Sequence, residues 1–155
     1  METVEDRLRQ MGLALPEQAP GAVAAYEPWV IVGPLLYTSG QLPWRDGKTL
    51  DFRGKIGREL TPEQGYEACQ IATLNAIAQL KAALGDLARV RRIVRIEGSL
   101  NVAPGFTATP GVLNGASDLV NRVFAERGRH TRMIYTSPDL PLDTPCLIVF
   151  WAEIE

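Results

Sequence analysis

"CLIVFWAEI", residues 146–154, decides how this chain must fold. Its first seven residues are all apolar, without the in–out alternation of a strand that has one wet face. A run of this kind reads as a strand covered on both sides. The elements that could cover it are two amphipathic helices upstream. Thr61 is a good N-cap, Pro62 suits the first helical position, and Gln64 completes a capping box. Cys69, Thr73, Ala76, Ile77, Leu80 and Leu84 then recur at helical spacing, and Gly85 is placed to end the helix. A second helix is predicted from about Pro110, with Leu113, Ala116, Val120, Val123 and Phe124 on one face and Gly128 as its stop.

The remaining segments read as strands and turns. Residues 28–41, "PWVIVGPLLYTSGQ", suggest two strands about a Gly33-Pro34 turn. Asp46-Gly47 is a hairpin signal within residues 44–60. Residues 90–100 read as a strand in which Val94 and Ile96 alternate with Arg95 and Glu97, and residues 132–137 as another. A short helix is expected over residues 3–12, with Val4, Leu8 and Met11 on one side, and an irregular lead-in over residues 14–27. The order is ββ(β)–α–β–α–ββ, an α+β fold with a mixed β-sheet and two helices packed on one face. The other sheet face would then be wet and apolar, and a patch of that size marks an interface. An oligomer packing sheet face to sheet face is therefore expected.

Composition narrows the function classes. A chain of 155 residues with 46% apolar and 22% charged residues is long enough for one domain with a core. A net charge of −2 without a basic stripe argues against nucleic acid as a partner. Cys69 and Cys146 are too few for a disulfide framework and read as reduced core thiols. With one His, no zinc site is expected. No secretory pattern opens the chain, and no run of about 18 apolar residues exists, so no membrane partner and a cytoplasmic location are expected.

"LLYTSGQLP", "DGK", "LTPEQGYEACQIATLNAIAQLKAALGDLARV", "APGF", "NGASDL", "GRH" and "LPL" occur in an order that resembles the RidA family. This is the YjgF-type, L-PSP-like group of reactive-intermediate deaminases, and the likeness is to its longer branch. The resemblance divides the chain into an N-terminal extension, residues 1–23, and a single domain, residues 24–155. It implies a chorismate-mutase-like fold and a homotrimeric barrel with ligand clefts between subunits. It also implies hydrolysis of small 2-imino or 2-enamino acids to 2-keto acids and ammonia, with no cofactor or metal. The partner implied is a small carboxylate-bearing metabolite.

Site residues follow from the same resemblance. Arg132 stands eight residues before Leu140-Pro141, the spacing of the family's carboxylate-binding Arg. A guanidinium fork matches a planar carboxylate. Tyr26, Ser39, Gly40 and Asn114 fall at positions that line the cleft, and Gly40 would let main chain approach the ligand. One departure stands out. The family's water-holding Glu falls at Leu147 and a second Glu at Val149, so both carboxylates are missing. Tyr135, Ser137 and Cys146 are candidates to serve instead. His130 reads as a cap near a helix end rather than a catalytic group. The alternative is a non-catalytic carboxylate-binding trimer, with an endoribonuclease third.

Overall fold

Helix α2 begins and ends where its capping residues dictate. The computed structural model describes all residues 1–155, and in it α2 spans Pro62–Leu84. Thr61 Oγ1 accepts from the Gln64 backbone N–H while Gln64 returns the bond, and Gly85 closes the helix at φ +77°. Helix α1 covers Val4–Gln10 and α3 covers Thr109–Phe124. The strands are β1 (Trp29–Val32), β2 (Leu35–Thr38), β3 (Val90–Asn101), β4 (Thr131–Ser137) and β5 (Cys146–Ile154). They form one mixed sheet in the order β1-β2-β5-β3-β4, with only β3 and β4 parallel.

The sequence "CLIVFWAEI" occupies the centre of this sheet, and its two faces differ. Cys146, Ile148, Phe150, Ala152 and Ile154 are buried under the helices, while Leu147, Val149, Trp151 and Glu153 are half-buried on the other face. That second face carries no helix. It also displays Val30, Val32, Met133 and Tyr135, each more than 40% exposed. At its middle Arg95 pairs with Glu97 at 3.0 Å and lies 5.6 Å from the centre of the Trp151 ring.

Helix α1 belongs to the helical layer rather than hanging from it. Val4 and Leu8 join the main core, and the Arg7 guanidinium donates to the Val123 carbonyl at 3.0 Å. Thr3 caps α1 through a capping box with Asp6. Cys69 and Cys146 are both free and buried. Hydrogen bonding to Cys69 and burial push the Cys146 thiol well above its ordinary range, which keeps it inert.

Three local expectations are corrected. Asp46-Gly47 makes a tight turn, with Asp46 Oδ1 accepting from the Lys48 and Thr49 backbones, but only a single bridge, Trp44 to Leu50, flanks it. Two irregularities in the β3–β5 register shift the alternation, so Ile93 rather than Val94 joins Ile96 in the core. Helix α3 ends at Phe124, followed by Ala125 at φ +53° and a 3-10 turn to Gly128. Gly128 is required for space, because a Cβ there would lie 2.4 Å from the Val120 carbonyl oxygen.

The α2–α3 crossing is closer still. A Cβ on Gly115 would lie 2.1 Å from the Tyr66 carbonyl oxygen. The Cβ would be fixed to the backbone of α3 and the carbonyl belongs to that of α2, so neither yields cheaply. Gly115→Ala is expected to cost about 2–3 kcal/mol in stability, measured from denaturant midpoints. Gly111→Ala is the control: nothing lies within 4 Å of its Cβ position, and it should be neutral or slightly stabilising.

Candidate functional site

Strand alternation turns Arg132 toward α3 at the sheet edge formed by β4. Asn114 and Ser117, three residues apart on α3, share one helix face and meet it there. Arg132 Nη1 donates to Asn114 Oδ1 at 2.8 Å and to Ser117 Oγ at 3.2 Å, and Nη2 donates to the Pro110 carbonyl at 3.3 Å. A guanidinium carries five N–H groups. Three are spent inside the protomer, which leaves Nε–H and one hydrogen on Nη2. Nε and Nη2 are the nitrogen pair that a carboxylate engages in a side-on fork.

No carboxylate of the chain pairs with Arg132. The nearby acids are engaged elsewhere: Asp118 accepts from the Tyr66 hydroxyl at 2.8 Å, and Glu126 pairs with Arg129 at 3.3 Å. The half-buried cation lines an open polar depression with Asn114, Ser117, Asp118 and His130 and makes no salt bridge there.

His130 completes this group. Its Nδ1 lies 2.6 Å from the Gly128 carbonyl and its Nε2 lies 2.9 Å from Ser117 Oγ. Burial, with the Arg132 charge as a lesser cause, depresses its pKa below the ordinary value; the bond to Gly128 acts the other way. The carbonyl-capping role expected of His130 is present.

The other predicted residues lie apart from Arg132. Gly40 follows β2, and a Cβ there would sit 3.6 Å from that of Leu147. Tyr26 is 44% exposed and shares a small crevice with Gly40 and Gln41. The Ser39 hydroxyl donates to the Glu27 carbonyl, which ties the Tyr26 segment to the end of β2. Leu147 packs against the small apolar cluster of Leu42, Trp44 and Leu50. Its neighbours are thus suited to a hydrocarbon and not to a carboxylate. Tyr135, three residues after Arg132, projects from the opposite face of β4 and shares a row with Ser99 and Leu147. Within one protomer it does not meet Arg132.

Two residues that brace this second group were missed in the sequence. Asn75 Nδ2 donates to the Leu42 and Trp44 carbonyls at 2.9 and 3.0 Å, and Gln79 Nε2 donates to Gln41 Oε1 at 3.1 Å and the Pro20 carbonyl at 2.6 Å. Both are buried on α2, four residues apart. Amides at that spacing amid the apolar positions of a helix were the available signal.

Comparison with known proteins places this arrangement. Residues 5–154 match the family described as "YjgF/chorismate mutase-like, putative endoribonuclease". The Trypanosoma cruzi protein TCP17 is 40% identical over 139 residues, covering 89% of this chain and 86% of that protein. A crystal structure of a "putative endoribonuclease" from Shewanella oneidensis is 50% identical, with a TM-score of 0.94 over 98% of this chain and 99% of that one. RidA from the Antarctic bacterium Psychrobacter is 25% identical, with a TM-score of 0.62 over 88% of this chain and 94% of its own. The family match spans nearly the whole chain, and the fold is shared with a RidA of known structure: the protein belongs to the YjgF/RidA family.

Proposed function

We propose that this protein is a deaminase-type hydrolase that converts small 2-imino acids to 2-keto acids and ammonia, in clefts between the subunits of a homotrimer. The observation that carries the reading is the Arg132 guanidinium, braced by α3, with donors to spare and no salt bridge within the protomer. Such a group recognises a planar carboxylate. The imine carbon beside that carboxylate is already electrophilic, so placing water and moving protons suffices for hydrolysis. The bare sheet face supports assembly, since its apolar side chains need a partner surface.

A second reading has one observation in its favour. Leu147, in its apolar surroundings, cannot hold water by hydrogen bonds, so a carboxylate-binding protein without turnover also fits. The endoribonuclease named for some relatives is less well supported, because the chain is net acidic.

The test is to generate 2-iminobutyrate in situ and follow 2-ketobutyrate formation, with calorimetric titration of 2-ketobutyrate alongside. Turnover well above the uncatalysed rate is expected. Binding without turnover would favour the second reading, and neither binding nor turnover would defeat both. Light scattering is expected to give three times the mass of one 17.0 kDa chain.

A further inference from the structure

The hydrogen bonds around His130 have a direction set by their two ends. A guanidinium only donates and a carbonyl only accepts. Gly128 O therefore requires the proton on His130 Nδ1, at 2.6 Å. In the neutral ring Nε2 is then an acceptor, and the Ser117 hydroxyl, 2.9 Å away, donates to it. Ser117 Oγ in turn accepts from Arg132 Nη1 at 3.2 Å. The chain runs Arg132 to Ser117 to His130 to the Gly128 carbonyl. A hydroxyl directed at an oriented, neutral imidazole is poised to pass on its proton.

The surroundings keep the imidazole neutral. Arg132 and Arg129 share its depression with one carboxylate, Asp118, which accepts from the Tyr66 hydroxyl. Glu126 pairs with Arg129, and Arg92 donates to the Arg129 carbonyl. Burial disfavours the imidazolium, and the nearby Arg132 charge adds to that. An anion on Arg132 would offset that charge and make His130 more basic when substrate is bound.

We propose that Ser117 and His130 form the proton relay of this site, supplying the acid–base function that Leu147 lacks. The proposal rests on the reading of Arg132 as the carboxylate grip. Water adds to the imine carbon through its oxygen and gives a proton to Ser117 Oγ, whose own proton moves to His130 Nε2. The π pair of C=N goes to nitrogen, which then takes that proton back along the relay, giving the carbinolamine. In the second half the carbinolamine hydroxyl releases its proton by the same path. The C–N pair leaves with nitrogen, which accepts the proton to depart as ammonia, and C=O forms. Ser117 touches the water; His130 acts through it as a positioning and proton-holding residue.

Because His130 is the sole histidine, its ring resonances in untagged protein are unique. Its titration is followed by NMR with and without saturating 2-ketobutyrate, while kcat and KM for 2-iminobutyrate are measured across pH. Its pKa is expected to lie below the ordinary 6.5 in the free protein and to rise on ligand binding. His130→Gln and Ser117→Ala are expected to lose about 10²-fold in kcat with KM changed only a few-fold, and to lose the acid limb of the wild-type profile. Ser117→Thr, which keeps a hydroxyl, should recover part of that loss. Thermal melts check that the variants fold. Wild-type turnover combined with unchanged kcat and pH profile in both variants would overturn the relay. No wild-type turnover would overturn the deaminase reading instead, and a His130 titration indifferent to 2-ketobutyrate would then remove the relay as well.

Discussion

Arg132→Ala is expected to lower kcat/KM for 2-iminobutyrate by about 10²–10³-fold, the equivalent of about 3–4 kcal/mol for two charge-assisted hydrogen bonds to a carboxylate. The same variant should lose the calorimetric heat of 2-ketobutyrate. Stability should move by less than about 1 kcal/mol, because no carboxylate inside the protomer depends on this guanidinium. Only Asn114 Oδ1, Ser117 Oγ and the Pro110 carbonyl lose a donor, beside an open depression where water replaces it. This separation of function from stability distinguishes a ligand-binding arginine from a structural one. Arg132→Lys restores the charge without the fork or its three braces, so it should recover little of the loss. Unchanged kcat/KM in Arg132→Ala would remove the carboxylate grip from the account.

How far the sequence disclosed this site follows from the range of the interactions involved. Helix α2 was legible to its ends because Thr61, Gln64 and Gly85 act over one turn of backbone. Strand β5 was legible because its apolar run reports burial directly. Irregular pairing is set by the partner strand, so the shifted register that puts Ile93 rather than Val94 in the core could not be seen from residues 90–100 alone. Gly128 looked like a helix stop, but its role is room beside the Val120 carbonyl, a contact made only after the chain turns back. Arg132 and Asn114 were each assigned to the cleft by family resemblance, but their contact within one protomer was announced by no local pattern. Ser117 was invisible for a different reason. A serine within a helix face carries no signal until the segment leading into β4, thirteen residues on, returns His130 to it. Tyr135 was a candidate to stand in for the Glu missing at Leu147; it shares the Leu147 row, while strand alternation sets it on the face opposite Arg132.

Mixing two inactive variants is expected to restore activity, because the candidate residues form two half-sites too far apart to serve one small ligand within a protomer. Gly40 follows β2 and Arg132 lies on β4, with β5 and β3 between them. Three strand spacings amount to about 14 Å. A four-carbon acid spans about 5 Å at ordinary bond lengths. Arg132 also turns to the helix side of its strand, away from the face that carries Leu147. The β4 edge of one subunit and the Gly40 side of the next can meet only if subunits join head to tail, an interface that a trimeric ring would close. Gly40→Phe should fill its half of the cleft while sparing the fold, since a Cβ at Gly40 makes only ordinary contact with Leu147. Arg132→Ala and Gly40→Phe, each inactive alone, should when co-refolded at equal amounts regain about a quarter of the wild-type clefts, those pairing an intact Arg132 with an intact Gly40. Proportionate recovery in the mixture, and none when separately folded proteins are combined without exchange, would fix the cleft between subunits. A mixture that stays inactive despite exchange would place the whole site within one protomer, and Arg132 would then have to work without Tyr26, Ser39 or Gly40.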